Sequence, residues 1–163
     1  MDILHLIKTD HNSILAAFPE RAKESFVKKS AKLSSLFSEI DVHFSLEKDY
    51  LFPEVSFLSP EAKTITDIGL ANHGIIQQKM KSLKSAANRS NTKAETLISK
   101  LDELKDLVWK HFHMEEQMLM PKIRILIQTE LREDLGHVFL DAKEDLSAGL
   151  RKKPAAAQQR AHA

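Results

Sequence analysis

Apolar residues recur at three- and four-residue steps along most of the chain, the period of helices that bury one face. A first stripe runs Ile3, Leu4, Ile7, Ile14, Leu15 and Phe18. A second, over residues 26–51, takes in Phe26, Leu33, Leu36, Phe37, Ile40, Phe44 and Leu51. A third runs Ile65, Ile68, Ile75, Ile76, Met80 and Leu83. A fourth, over 97–119, includes Leu97, Leu101, Leu104, Leu107, Val108, Met114, Met118 and Leu119. A fifth runs Leu131, Leu135, Val138, Phe139 and Leu146, after a candidate cap at Thr129. Pro19, the stretch FPEVSFLSPE and the polar ANRSNTK (87–93) separate the stripes. Pro53 and Pro121 are each expected to end a long helix, because proline lacks the amide proton and crowds the preceding turn. Four long helices with short connections predict an all-α, antiparallel, up-down-up-down four-helix bundle with a fifth C-terminal helix over 129–150.

The stripes are interrupted in a repeated way. HFSLEKDYLFP (43–53) and HFHMEEQMLMP (111–121) share His, Phe, Glu, Leu and Pro when set 68 positions apart. DHNSI around His11 lies over NHGII around His73 at an offset of 62. The chain thus divides into two similar hairpins, roughly 1–57 and 62–127, within one domain of 1–150. The tail 151–163 has no period and is expected to fray.

Composition limits the chemistry. A chain of 163 residues can bury a core without staples. The absence of cysteine removes disulfides, thiolate catalysis and sulfur-ligated metals. A net charge of +1 gives no reason to expect nucleic acid or a membrane as partner. No signal-like N-terminus or membrane-length apolar run is present, which fits a cytoplasmic protein.

Residues four apart on a helix differ by about 40° in direction, so His43 and Glu47 point the same way, as do His111 and Glu115. His11 and His73 also lie on inward stripes. A buried carboxylate costs several kcal/mol unless paired or ligated. Two carboxylates among four imidazoles make sense with cations between them. Four His and two Glu can serve two metals, one taking His11 and His43, the other His73 and His111, with both carboxylates bridging. Nitrogen and oxygen donors without sulfur suit iron first and manganese second, with zinc able to intrude. The expected cofactor is two irons per chain.

The order His11, His43-x-x-x-Glu47, His73, His111-x-x-x-Glu115 resembles the hemerythrin-like HHE cation-binding family. The two His-Phe blocks are similar to that family's recurring motif. The resemblance covers roughly residues 1–127 and implies a non-haem di-iron bundle, with the histidines as terminal ligands and the glutamates as bridges. Oxygen-carrying hemerythrins place another histidine four residues after the third-helix ligand, where this chain has Gln77. That departure implies open metal positions and favours chemistry with O2, peroxide or nitric oxide over carriage alone. The ligand set also resembles the di-iron domain of Ric-type iron-centre repair proteins, whose cysteine-containing N-terminal domain has no counterpart here.

Three functions stay open: a redox enzyme with an unnamed electron donor, an iron- or gas-sensing protein read by a partner through the fifth helix, and an iron store. No residue of the motif stands out as a dedicated general acid or base. Tyr50, one turn after Glu47, is either a core residue or a hydrogen-bond donor to a metal-bound species. His113 is expected outside the ligand set, and Glu116 is expected in solvent or behind a ligand. Trp109 and Met80, Met114, Met118 and Met120 are expected in the core. His5, His137 and His162 carry no assigned role.

Overall fold

Asp2 starts the first helix. Its Oδ1 accepts the Leu4 amide at 2.9 Å, satisfying one of the amides that a helix N-terminus leaves free. Its Oδ2 accepts from Arg132 Nε at 2.9 Å, which ties that helix end to the last helix. The computed structural model describes residues 1–28 and 30–149. It is all-helical, with no strand among the described residues. Helix α1 spans Ile3–Ala17, α2 Glu24–Lys28 and α3 Ser30–Leu46. A π-helical turn, π1, spans Glu47–Leu51 and leads directly into α4, Phe52–Ser56. Helix α5 spans Pro60–Ala87 and α6 Ala94–Met114. A second π turn, π2 (Glu115–Leu119), leads into α7, Met120–Leu126, and α8 spans Thr129–Ser147. Helix α5 packs along α6, α1 against α3, α6 and α8, and α3 against α5 and α8.

The prolines do not end the helices. Pro53 and Pro121 sit in the first turns of α4 and α7, just past the π turns. The Phe52 amide bonds back to the Glu47 carbonyl, and the Met120 amide to that of Glu115, each five residues earlier. A π turn holds one residue more than the α ladder needs, so the ladder resets at the point where proline has no proton to give. The prolines mark the wide turns rather than a stop.

The same wide turns shift the phase of the apolar pattern. Met118 is 49% exposed while Leu119 is buried. Trp109, expected in the core, is 50% exposed and stacks on His113 with ring centres 4.9 Å apart. The buried face of α6 is Leu97, Leu101, Leu104, Val108 and Phe112, and Trp109 lies about 100° away from Val108 on the helix. Met80 and Met120 are buried, and Met114 is half-buried. In α5 the inward stripe is Ile65, Gly69, His73, Ile76, Met80 and Leu83, so Ile68 and Ile75 face outward. In α8, Leu131 and Val138 are exposed, and Gln128 rather than Thr129 is the cap residue. The expected tail lies outside the described residues.

Two apolar clusters fill the interior. One gathers Ile14, Leu36, Ile40, Phe44, Ile76, Leu83, Leu101, Leu104, Val108 and Phe112. The other gathers Ile3, Ile7, Leu46, Leu51, Phe52, Val55, Ile65, Leu119, Ile123 and Phe139. Each such side chain contributes roughly 1.5–3 kcal/mol by leaving water. In every long helix except α8 the chain crosses from one cluster to the other through a polar residue. No helix among the described residues is long and apolar enough to cross a membrane.

Candidate metal centre

His11 of α1, His43 of α3, His73 of α5 and His111 of α6 meet Glu47 and Glu115, the first residues of π1 and π2. All six are between 0% and 5% exposed. Glu47 Oε1 lies 3.2 Å from His43 Nε2, and its Oε2 lies 3.1 Å from His73 Nε2. Glu115 Oε1 lies 3.5 Å from His111 Nε2, and its Oε2 lies 3.3 Å from His11 Nε2. Each carboxylate therefore faces one imidazole of its own helix run and one from a different helix. His73 and His111 bring their Nε2 atoms within 3.0 Å of each other.

These donors form two groups, each with its ligand atoms within 4.8 Å of one another. The first is His11, His43, Glu47 and Glu115; the second is Glu47, His73, His111 and Glu115. Both carboxylates belong to both groups. Among the described residues, the buried side-chain polar atoms without a hydrogen-bond partner all belong to this layer, and they include His11 Nε2, His43 Nε2 and all four carboxylate oxygens. An orphaned buried polar atom costs about 1–3 kcal/mol. Neighbouring donors stand 3.0–3.5 Å apart. That is the separation of adjacent ligands around a first-row cation with bonds of about 2.1 Å. Orphaned atoms, spacing and donor types all fit a pair of cations.

The aromatic neighbours hold the rings. His11 stacks on Phe112 with centres 3.9 Å apart, and His73 stacks on Phe44 at 3.8 Å. The Phe after each block histidine thus braces the lone histidine of the other hairpin. The repeated His-Phe pair was visible in the sequence, but its cross-hairpin role was not. At Gly69 an added Cβ would come 2.9 Å from Phe52 and 3.7 Å from Glu115 Oε1, so the glycine leaves room for the phenyl ring beside the carboxylate.

Charge among the protein groups of the layer is divided unevenly. Burial pushes His11 down to about 4 and His111 down to about 3, so both are neutral at pH 7. Burial acts the same way on His43, but Glu47 and Asp10 outweigh it and raise that ring to about 9. Burial opposes ionisation of Glu47, yet His43 and His73 hold it well below the usual carboxylate range. Glu115 is held well above that range by burial and then by the Glu47 charge. The layer is therefore an ion pair, Glu47 with His43, beside a Glu115 whose ionisation is opposed by burial and by the Glu47 charge. The contacts of Glu115 with His11 and His111 are not ion pairs.

Outside the layer, Glu116 Oε1 lies 3.0 Å from His11 Nδ1, and its Oε2 accepts from Lys8 at 3.0 Å. Asp10 Oδ2 lies 3.5 Å from His43 Nδ1, and the same carboxylate pairs with Lys143 of α8. Asp10 was not anticipated; its position beside His11 was legible, but its partner on another helix was not. Gln77 donates to Asp41 at 3.1 Å. Tyr50 is half-buried and packs in the apolar cluster with Leu51 and Phe52. His113, His5 and His137 are on the surface, and His162 lies outside the described residues. A cavity of about 280 Å³ lined by Asp10, Ser13, Glu39, His43 and Lys143 opens toward the back of His43.

A curated DNA nickase from Nostoc sp. (strain PCC 7120 / SAG 25.82 / UTEX 2576) is 24% identical over 151 residues, which are 92% of this chain and 41% of that protein. The chain therefore spans less than half the length of this relative. No solved structure matches the chain. Residues 2–123 match the family described as hemerythrin HHE cation binding domain, and the chain belongs to that family.

Proposed function

We propose that this chain is a non-haem di-iron protein of the hemerythrin type. Helices α1, α3, α5 and α6 make an antiparallel four-helix bundle of two pseudo-repeated hairpins within one domain of 1–150, and α8 covers one side. His11, His43, Glu47, His73, His111 and Glu115 are the ligands, the two glutamates bridging. The observation that carries this reading is that Glu47 and Glu115 each divide their two oxygens between both donor groups.

When bound, the iron pair supplies redox chemistry toward O2, peroxide or nitric oxide. The chain's own residues prepare the place. The stacked phenyl rings of Phe44 and Phe112 fix two imidazoles and exclude water from the layer. The proton held by His43 balances the Glu47 charge and would leave on cation binding, and burial with the Glu47 charge opposes a second negative charge on Glu115. Four protein donors per ion leave room for a small ligand, and Gln77, engaged with Asp41, adds none. The test is the optical spectrum of the iron-loaded chain with and without azide, followed by peroxide and nitric oxide consumption. An azide-shifted band with turnover is expected. A spectrum that azide leaves unmoved rules out an open site. An azide-shifted spectrum without turnover, together with iron-dependent exchange protection of α8, would point to sensing instead.

The name of the Nostoc relative makes strand nicking the other activity to assay, since the match runs over 92% of this chain. The layer is at most 5% exposed, so a phosphodiester has no direct access to it, and a net charge of +1 gives the chain little overall attraction for nucleic acid. We expect the metal-loaded chain to leave supercoiled plasmid intact; relaxation lost in Glu115→Ala would reverse that reading.

A further inference from the structure

The two cation positions use the same donor types but have different surroundings. Behind the first pair, His11 Nδ1 meets Glu116 at hydrogen-bond distance, 3.0 Å, whereas His43 Nδ1 makes no hydrogen bond but has the Asp10 carboxylate 3.5 Å away. Both carboxylates are held in turn by lysines, Glu116 by Lys8 and Asp10 by Lys143. Behind the second pair, His111 Nδ1 is buried with no partner, and the polar contacts of His73 run through Nε2 alone, among the described residues.

The internal repeat explains the difference. The offset of 68 that carries Glu115 onto Glu47 carries Glu116 onto Lys48. The offset of 62 that carries His73 onto His11 carries Asn72 onto Asp10. Both carboxylates behind the first pair are thus replaced in the second, one by an exposed cation and one by a neutral amide. The ligand residues are duplicated and the groups behind them are not.

Resting on the di-metal reading, we infer that the two positions are inequivalent: the His11/His43 position takes the first divalent ion and holds it more tightly, and Asp10 and Glu116 set that order. A carboxylate hydrogen-bonded to Nδ1–H, as Glu116 is to His11, keeps the proton on that nitrogen, presents the Nε2 lone pair to the cation and makes it a stronger donor, and the nearby charge of Asp10 favours the same tautomer of His43. His111 has no acceptor behind it. To ligate through Nε2 it must leave a buried Nδ1–H unpaired, which works against binding. Loss of such a backing group costs about ten- to hundredfold in metal affinity. Glu116 contributes more than Asp10, because its contact is the shorter one.

The test is titration of the metal-free full chain with zinc(II), followed by the imidazole nitrogen-15 signals of the four histidines. At one equivalent the His11 and His43 rings should reach their bound positions while His73 and His111 remain free. The wild-type titration decides the order without any variant. All four rings moving together, or His73 and His111 moving first, would overturn the inference and leave a two-ion centre standing. No ring moving at all would overturn the centre as well. In Asp10→Asn/Glu116→Gln the first step should weaken about ten- to hundredfold and the order should vanish. An order unchanged in that variant would remove Asp10 and Glu116 as its cause.

Discussion

The hairpin that ends in α4 and the one that ends in α7 are near copies at some positions and unlike at others. They share the inward histidine, the His-Phe pair, the glutamate four residues on, the π turn that begins at that glutamate, and the proline after it. They differ behind the imidazoles, where the layer has Asp10 and Glu116 on one side and Asn72 and Lys48 in the matching places. What is repeated is what places six donor groups at one level of the helices. What differs lies behind the imidazoles, where, on the proposed di-metal reading, it would tune each cation position without moving a donor group.

The largest effect should come from the repeated parts. Glu47→Ala or Glu115→Ala should each abolish binding of the metal pair rather than remove one ion, because each carboxylate belongs to both donor groups. Metal per chain after desalting reads this out; loss of only half the metal would break the equivalence of the two bridges.

Next are the braces. Phe44→Ala and Phe112→Ala each delete a buried ring stacked on a lone histidine and should cost about 3–5 kcal/mol of stability in the metal-free chain. Chemical denaturation measures both. Costs that differ by more than about 2 kcal/mol would show that the hairpins are not interchangeable in packing.

The pH dependence of metal binding should separate the pairs. His43, raised to about 9, holds a proton at pH 7 that a cation must displace, and Glu115 is shifted in the same upward direction by burial and the Glu47 charge. Binding therefore releases protons, and affinity should rise as pH climbs from 7 and flatten above about 9, where His43 loses its proton unaided. The slope is about tenfold per pH unit for each proton displaced. His11 and His111, lowered to about 4 and about 3, are already neutral and add nothing to this slope. Calorimetry in buffers of different ionisation enthalpy counts the protons, and binding without release would contradict the charge assignment.

The smallest effect should be that of His113, which matches Ser45 in the other block and lies on the surface. His113→Ala should leave metal content unchanged and alter stability by less than about 0.5 kcal/mol.

The inward placement of six polar residues was legible because each interrupts an apolar stripe, and four of them do so in pairs at helical spacing. The π turns were not. A 3.6-residue period cannot register a turn that holds one residue more, so Pro53 and Pro121 read as stops and Met118 as core. Trp109 misled through its size, although Val108 and Phe112 already fill the inward face. The cross-hairpin stacking of Phe44 and Phe112 and the pairing of Asp10 with His43 are contacts between helices, which no spacing along one helix reveals.

The central claim is that Glu47 and Glu115 join two cations into one centre. Its most direct test is iron content with Mössbauer spectroscopy of the wild-type chain loaded anaerobically with ferrous iron and then oxidised. The account predicts two irons per chain, one for each donor group, in a magnetically coupled pair. A single iron, or two that are uncoupled, would contradict it.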